Sequence, residues 1–280
     1  MTKITEDDIE QNLIDLLKSE GYEYFHGTEL DGVRGGFDQV VIEGEFKASL
    51  QRLNPDLDEL ALADAYSQVL DLSSNDVMTN NEQFHNMLTS GVTIEVFENG
   101  QSVGKQVELV DFNTIQNNSF WVVNQFVIKE NNQSKRLDVI LFVNGLPLVV
   151  IELKSATSEK ATLERAYTQI QNYKTAIPTV FYYNALCVIS DGLDARTSSI
   201  SAPFSRFLVW KSPEKTENGL LPELQILAER MLNKAALLKV IRFNTVFESE
   251  EVKDEKTGLL QQVKIKKIAA YHQFYVVEKA

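Results

Sequence analysis

Asp138, Glu152 and Lys154 form a small cluster of ionisable residues set in an otherwise apolar stretch. They lie in Arg136-Leu-Asp-Val-Ile-Leu-Phe-Val-Asn-Gly-Leu-Pro-Leu-Val-Val-Ile-Glu-Leu-Lys154, where Asn144-Gly145 is a strong reversal signal between two apolar runs. If residues 144–147 connect two strands, Asp138 comes almost opposite Glu152, with Cβ atoms about 5 Å apart. Glu152 and Lys154 are two apart and share a strand face. Residues 148–151 read as a buried central strand, where ionised side chains need partners or a metal. Two adjacent carboxylates repel each other, and a divalent cation relieves both the repulsion and the burial. Mg²⁺ typically takes one or two carboxylates, keeps several waters and binds substrate phosphate. A neighbouring lysine can position or deprotonate a water and offset phosphate charge. The plainer alternative is an ion-pair network on a sheet rim. These residues alone leave both readings open.

Such groups need elements to hold them. Thr5 precedes Ile9, Leu13, Leu16 and Leu17, which are spaced as one helical face. Asp8 stands where a capping box prefers Glu or Gln, and Gly21 should end the helix. Residues 22–47 read as loop and short strand. Residues 57–72, after Pro55, and 81–90, before Gly91, have helical spacing. From Val92 the period changes to two, and 93–97, 106–111, 120–129, 136–143 and 148–154 read as strands. The pattern then predicts a helix over 157–176, a buried strand over 185–190 and a strand over 207–211. Beyond these it predicts a helix over 221–239, a charged linker-like run over 248–257 and a helix starting at 268. This order indicates an α/β chain with a mixed sheet and helices on its faces.

Composition narrows the classes. The 280 residues, 44% apolar and 24% charged, suffice for a sizeable core. No apolar run approaches the roughly 18 residues of a membrane span. The polar, acidic start is unlike a targeting peptide. A single cysteine, Cys187, excludes a disulfide framework and fits a reducing, cytoplasmic setting. The net charge of −13 argues against nucleic acid for the chain as a whole. However, residues 1–100 carry −16, while 101–210 carry +1 and 211–280 carry +2, so a basic groove outside the first third is compatible with the total. His26, His85 and His272 lack zinc-ligand spacing. Cys187 reads as core, Arg34-Gly35-Gly36 as a turn, and Trp121 and Trp210 as packing residues.

The pattern Asp138-x13-Glu152-Leu153-Lys154 resembles the PD-(D/E)-x-K nuclease motif, with Leu137 in the place of proline. The longer run Asn144-Gly-Leu-Pro-Leu-Val-Val-Ile-Glu-Leu-Lys154 resembles, more specifically, the N-terminal nuclease domain of the restriction (motor) subunit of type I restriction-modification enzymes. Residues 5–21 and 84–96, Phe120-Trp-Val-Val-Asn-Gln-Phe126 and Ile189-Ser-Asp-Gly192 support the resemblance. Gln169-Ile-Gln-Asn-Tyr173 matches the family's Q-x-x-x-Y motif, and the resemblance covers essentially the whole chain.

The resemblance implies a restriction-endonuclease-like fold: a mixed central sheet flanked by helices, with a C-terminal helical extension. It implies an endonuclease domain over 1–212, a helical linker over 213–260, and the truncated start of an ATP-dependent translocase over 261–280. It implies Mg²⁺-dependent hydrolysis of double-stranded DNA, with Mn²⁺ as a substitute. Cleavage would lack sequence preference and be coupled to translocation, with specificity and methylation subunits as partners. ATP would serve only the full-length subunit. Ile268-Ala-Ala-Tyr-His-Gln-Phe-Tyr-Val-Val277 resembles the lead into the motor, but no phosphate loop of the form G-x-x-x-x-G-K-S/T occurs in this sequence.

By the same resemblance Asp138, Glu152 and the Leu153 carbonyl would hold the metal, and Lys154 would orient the attacking water. Glu10 would reach the metal through water, the alternative being a solvated helix-face charge. Gln169 and Tyr173 would contact DNA or support the metal ligands, the alternative being a half-packed helix surface. Lys160, Arg165 and Lys174 on the same helix are candidates for phosphate contact or for a solvated face. The competing functions are a free-standing repair or resolvase nuclease of the same fold, and a non-catalytic docking domain.

Overall fold

The computed structural model describes residues 5–98, 100–155, 162–212, 222–253 and 260–279. Helix α1 (Glu6–Ser19) opens with the expected cap, closed by aspartate in place of glutamate. The Thr5 N–H donates to Asp8 Oδ2 at 2.8 Å, and the Asp8 N–H donates to Thr5 Oγ1 at 3.2 Å. Its buried face is Ile9, Leu13, Ile14 and Leu17, and it also buries Glu10. Gly21, at φ 86°, turns the chain into β1 (Glu23–His26) and α2 (Gly27–Leu30). Helices α3 (Glu43–Leu53), α4 (Glu59–Leu70) and α5 (Val77–Ser90) precede a hairpin of β2 (Val92–Glu98) and β3 (Gln101–Val107). Helix α3 falls where a loop was expected, because its N-cap is Ile42, which offers no capping side chain to read. Asp58 caps α4, so that helix starts after Pro55 by more than one residue.

The centre of the molecule is a mixed sheet of β1, β4 (Phe120–Glu130), β5 (Gln133–Val143), β6 (Leu146–Leu153), β7 (Leu186–Ser190), β8 (Ala195–Ser198) and β9 (Leu208–Val209), in that spatial order. β1 runs parallel to β4 and β6 parallel to β7, while the other neighbours are antiparallel. All eight residues of β6 are buried, as expected for a central strand between two layers. The crossover from β6 to β7 contains α6 (Thr162–Ala176) and α7 (Thr179–Tyr182). α1 packs on β1, β4 and β6, and α6 packs on β5, β6 and β7. The first residues of the helix predicted over 157–176 lie outside the described residues.

Three expectations change in the last quarter of the chain. The helix predicted over 221–239 is two: α8 (Glu223–Arg230) and α9 (Lys234–Phe243). Asn233 breaks it by capping α9, its Oδ1 accepting the Ala236 N–H at 2.9 Å. The expected linker over 248–257 begins instead inside β10 (Thr245–Lys253), which pairs antiparallel with β11 (Leu260–Ile268). Cross-strand charge explains this, since Lys267 bonds both Glu248 and Glu250. The C-terminal extension is therefore two helices, a ribbon and α10 (Tyr271–Glu278), not helices alone. One apolar core runs from Ile9 through the sheet to Leu224, Leu237 and Phe274. Among the described residues no helix is long and apolar enough to cross a membrane.

Candidate active site

The reversal at Asn144-Gly145 is a two-residue turn with φ of 53° and 78°, tighter than the 144–147 connection the sequence suggested. Val143 pairs with Leu146 and Phe142 with Pro147, but Leu141 pairs with Val149, so Leu148 is an extra residue on β6. The bulge also sits beside Pro147, which has no N–H to give the ladder. Together the tight turn and the bulge set Val139 opposite Ile151, so that Asp138 falls opposite Glu152. The turn is anchored on all sides. Asn144 Oδ1 accepts the Ser119 N–H at 2.9 Å, its Nδ2 donates to Leu109 O at 2.9 Å, and the Gly145 carbonyl accepts the Ile42 N–H at 2.9 Å.

At the far end of this strand pair the three ionisable groups meet. Lys154 Nζ lies 2.5 Å from Glu152 Oε1, 2.8 Å from the Leu153 carbonyl and 4.0 Å from Asp138 Oδ2. Asp138 Oδ2 accepts the Leu153 N–H at 2.8 Å. Glu152 is only 1% exposed. Burial, then the Asp138 charge, pushes its carboxyl up to about 8 against the pull of Lys154. Burial raises Asp138 as well, opposed by the Leu153 N–H and Lys154. Burial acts to lower Lys154, but Glu152 and Asp138 outweigh it and hold the ammonium above its usual value.

Glu152 Oε2 is buried and has no hydrogen-bond partner among the described residues. Tyr173 exerts a weak pull on Glu152, but its hydroxyl proton goes to the Arg136 carbonyl at 3.1 Å. An orphaned carboxylate oxygen, a second carboxylate across the strand and the Leu153 carbonyl at the end of β6 make a hard, all-oxygen donor set. That set suits Mg²⁺, which is content with one or two carboxylates and water. Lys154 holds Glu152 Oε1 and the Leu153 carbonyl, two of the oxygens a cation would take. Among the described residues no group of three His, Cys, Asp or Glu side chains gathers for a metal.

Glu10 is nonetheless part of the neighbourhood. It is buried on α1, accepts from Asn124 Nδ2 at 2.7 Å and Gln125 Nε2 at 2.5 Å, and feels the Asp138 charge. The solvated helix-face alternative is thereby set aside. Glu6, one turn earlier, acts electrostatically on Asp138 and Lys154, and its Oε1 accepts the Ser155 N–H at 3.3 Å. Sequence reasoning missed Glu6, Asn124 and Gln125. The four-residue spacing of Glu6 and Glu10 on one helical face was the available signal for the first. Tyr173 is buried, and both Glu152 and Gln169, one turn before it on α6, act on its hydroxyl. Arg165 is exposed and Lys174 half-buried, while Lys160 lies outside the described residues. Cys187 and Trp210 are core, as read. Trp121 is half-buried against Phe25. His26 caps α2, and His85 packs on Phe247.

A family profile described as the type I restriction enzyme R protein N terminus (HSDR_N) matches residues 3–206. The chain is 39% identical to the type I restriction enzyme HindI endonuclease subunit of Haemophilus influenzae, over 99% of this chain and 26% of that protein. It is 28% identical to the type I restriction enzyme EcoprrI endonuclease subunit of Escherichia coli, over 88% of this chain and 76% of that sequence. The chain thus spans about a quarter of the length of the Haemophilus relative. The profile runs through the strands that carry Asp138 and Glu152 and over most of the chain, and on that ground this chain belongs to the family formed by the N terminus of the type I restriction enzyme R protein.

Proposed function

We propose that this chain is the Mg²⁺-dependent endonuclease portion of a type I restriction enzyme R subunit, a PD-(D/E)-x-K nuclease acting on double-stranded DNA. The observation that carries the reading is the buried Glu152, with an orphaned oxygen, opposite Asp138 and against Lys154. The names of the relatives, both endonuclease subunits, support it. Asp138, Glu152 and the Leu153 carbonyl are the groups that would hold the cation. Bound Mg²⁺ supplies stabilisation of charge on phosphoryl oxygens. Lys154 orients a water for in-line attack on phosphorus once its ammonium is released from Glu152, and it offsets phosphate charge. Asp138 keeps its place through the Leu153 N–H. Gln169 and Tyr173 support the Glu152 side of the site.

In this reading cleavage is without sequence preference. It is coupled to an ATP-driven motor elsewhere in the subunit, within a complex that includes specificity and methylation subunits. The test uses that assembled complex with Glu152→Ala or Lys154→Ala in the full-length subunit. DNA cleavage should be lost while DNA-stimulated ATP hydrolysis persists. Cleavage should vanish in EDTA and return with Mg²⁺ or Mn²⁺. Undiminished cleavage by Glu152→Ala would overturn the assignment, and a non-catalytic docking role would show itself as loss of complex assembly instead.

A further inference from the structure

Consecutive strand residues point to opposite faces of a sheet. Asn124 and Gln125 break that rule: both amides donate to the same carboxylate, Glu10, at 2.7 and 2.5 Å. The break has a visible cause. Gln125 has φ 53°, inside an otherwise regular strand whose pairing resumes on either side as Asn124 with Val139 and Phe126 with Leu137. A side-chain-bearing residue in the left-handed region within a strand is strained and persists only when its surroundings enforce it. Two contacts flank it here. Gly27 approaches so closely that a Cβ there would lie 2.6 Å from the Gln125 carbonyl oxygen. The Tyr24 hydroxyl donates to Asn124 Oδ1 at 3.1 Å, which leaves the Asn124 amino group for Glu10. Residue 125 falls directly opposite residue 138 in the β4–β5 register.

We propose that Gln125 is a positioning residue. Its kink turns its amide onto the face of Asn124, and the two amides fix Glu10 beside Asp138 as the outer, water-mediated carboxylate of the cation site. This rests on the metal-site reading above. The strain has no use in pairing the sheet, and the geometry it produces is a two-pronged clamp on one buried carboxylate.

The test uses the 280-residue chain, with Mn²⁺ alone as the probe, calorimetry for affinity, and thermal melts in EDTA. Gln125→Gly and Gln125→Ala both delete the amide, but only glycine relaxes the kink. Gln125→Gly should therefore melt about 2 °C or more above Gln125→Ala. Both should lose about tenfold or more in Mn²⁺ affinity, as loss of a ligand's supporting hydrogen bond does. Combining Gln125→Ala with Glu10→Gln should cost no more affinity than Glu10→Gln alone, because Gln125 acts through Glu10. A merely structural role would make affinity follow melting temperature. If Glu152→Gln abolishes Mn²⁺ binding while both Gln125 variants bind like the parent, the clamp proposal fails and the metal site stands. If the parent takes up no Mn²⁺, the metal site fails and the clamp with it.

Discussion

At the scale of single residues, Glu152 separates a cation site from a rim ion pair. Its carboxyl, pushed up to about 8 from 4.5, holds a proton in the folded chain that the unfolded chain has released. Between those values the folded state binds more protons, so its stability without metal falls as pH rises from about 4.5 to 8. Asp138→Asn removes the second cause of that shift and should flatten the slope. The variant's amide oxygen can still accept the Leu153 N–H, so in EDTA at neutral pH it should melt with the parent or slightly above it. Mn²⁺ should then stabilise the parent by about 2.7 kcal/mol at a hundred times Kd, and the variant much less. A rim ion pair predicts the reverse, with Asp138→Asn costing on the order of 3 kcal/mol and metal without effect. Mn²⁺ uptake at neutral pH should also release a proton, mainly from Glu152, seen as a buffer-dependent binding enthalpy. Asp138, Glu152 and Lys154 were legible in the sequence because charge in an apolar run is costly. Gln125 was not, because a left-handed residue inside a strand leaves no trace in residue type.

At the scale of elements, the β5–β6 hairpin sets the register on which the site depends. A Cβ at Gly145 would stand 2.8 Å from both the Ile42 carbonyl oxygen and the Phe46 nitrogen, and the residue holds φ 78°. Gly145→Ala should therefore destabilise the chain by at least about 1–2 kcal/mol, measured by urea unfolding, from the left-handed cost alone. The turn was legible as Asn-Gly, but the bulge at Leu148 was not. An apolar run reads alike with or without one extra residue, and only the pairing partner reveals it. The expected four-residue connection reached nearly the same register because the tight turn and the bulge nearly offset each other. The break at Asn233 and the β10–β11 ribbon escaped for similar reasons. A polar residue inside a helical pattern and an alternating charged run each acquire their meaning from a partner distant in sequence.

At the scale of the whole molecule, the C-terminal ribbon is tied to α5 and to the segment leading into β7 through a buried lysine. Lys266 Nζ donates to Asn184 O at 2.8 Å and to Asn81 Oδ1 at 3.0 Å, and Lys264 pairs with Glu82 on α5. Burial lowers Lys266 to about 7 from 10.5. Below about 7 both states carry the charge, and the folded state bears the full penalty of burying it. Above 7 the folded lysine sheds its proton first, so stability should rise towards pH 10.5, by up to about 1.4 kcal/mol per pH unit. Urea unfolding of the parent and of Lys266→Met across neutral to alkaline pH checks this, and the slope should be shallower in the variant. The mixed sheet with helices on its faces was legible from the order of periodic segments. This docking was not, because Lys266 takes its partners, Asn81 and Asn184, from segments distant in sequence.

If Asp138, Glu152 and the Leu153 carbonyl hold a divalent cation, the metal itself can be located. A crystal of this chain soaked in Mn²⁺ and measured for anomalous scattering tests this directly. A peak should stand at inner-sphere distance from all three oxygens, with the Lys154 ammonium moved off Glu152. Full Mn²⁺ exposure with no peak there, and Lys154 still bonded to Glu152 and the Leu153 carbonyl, would contradict the cation site.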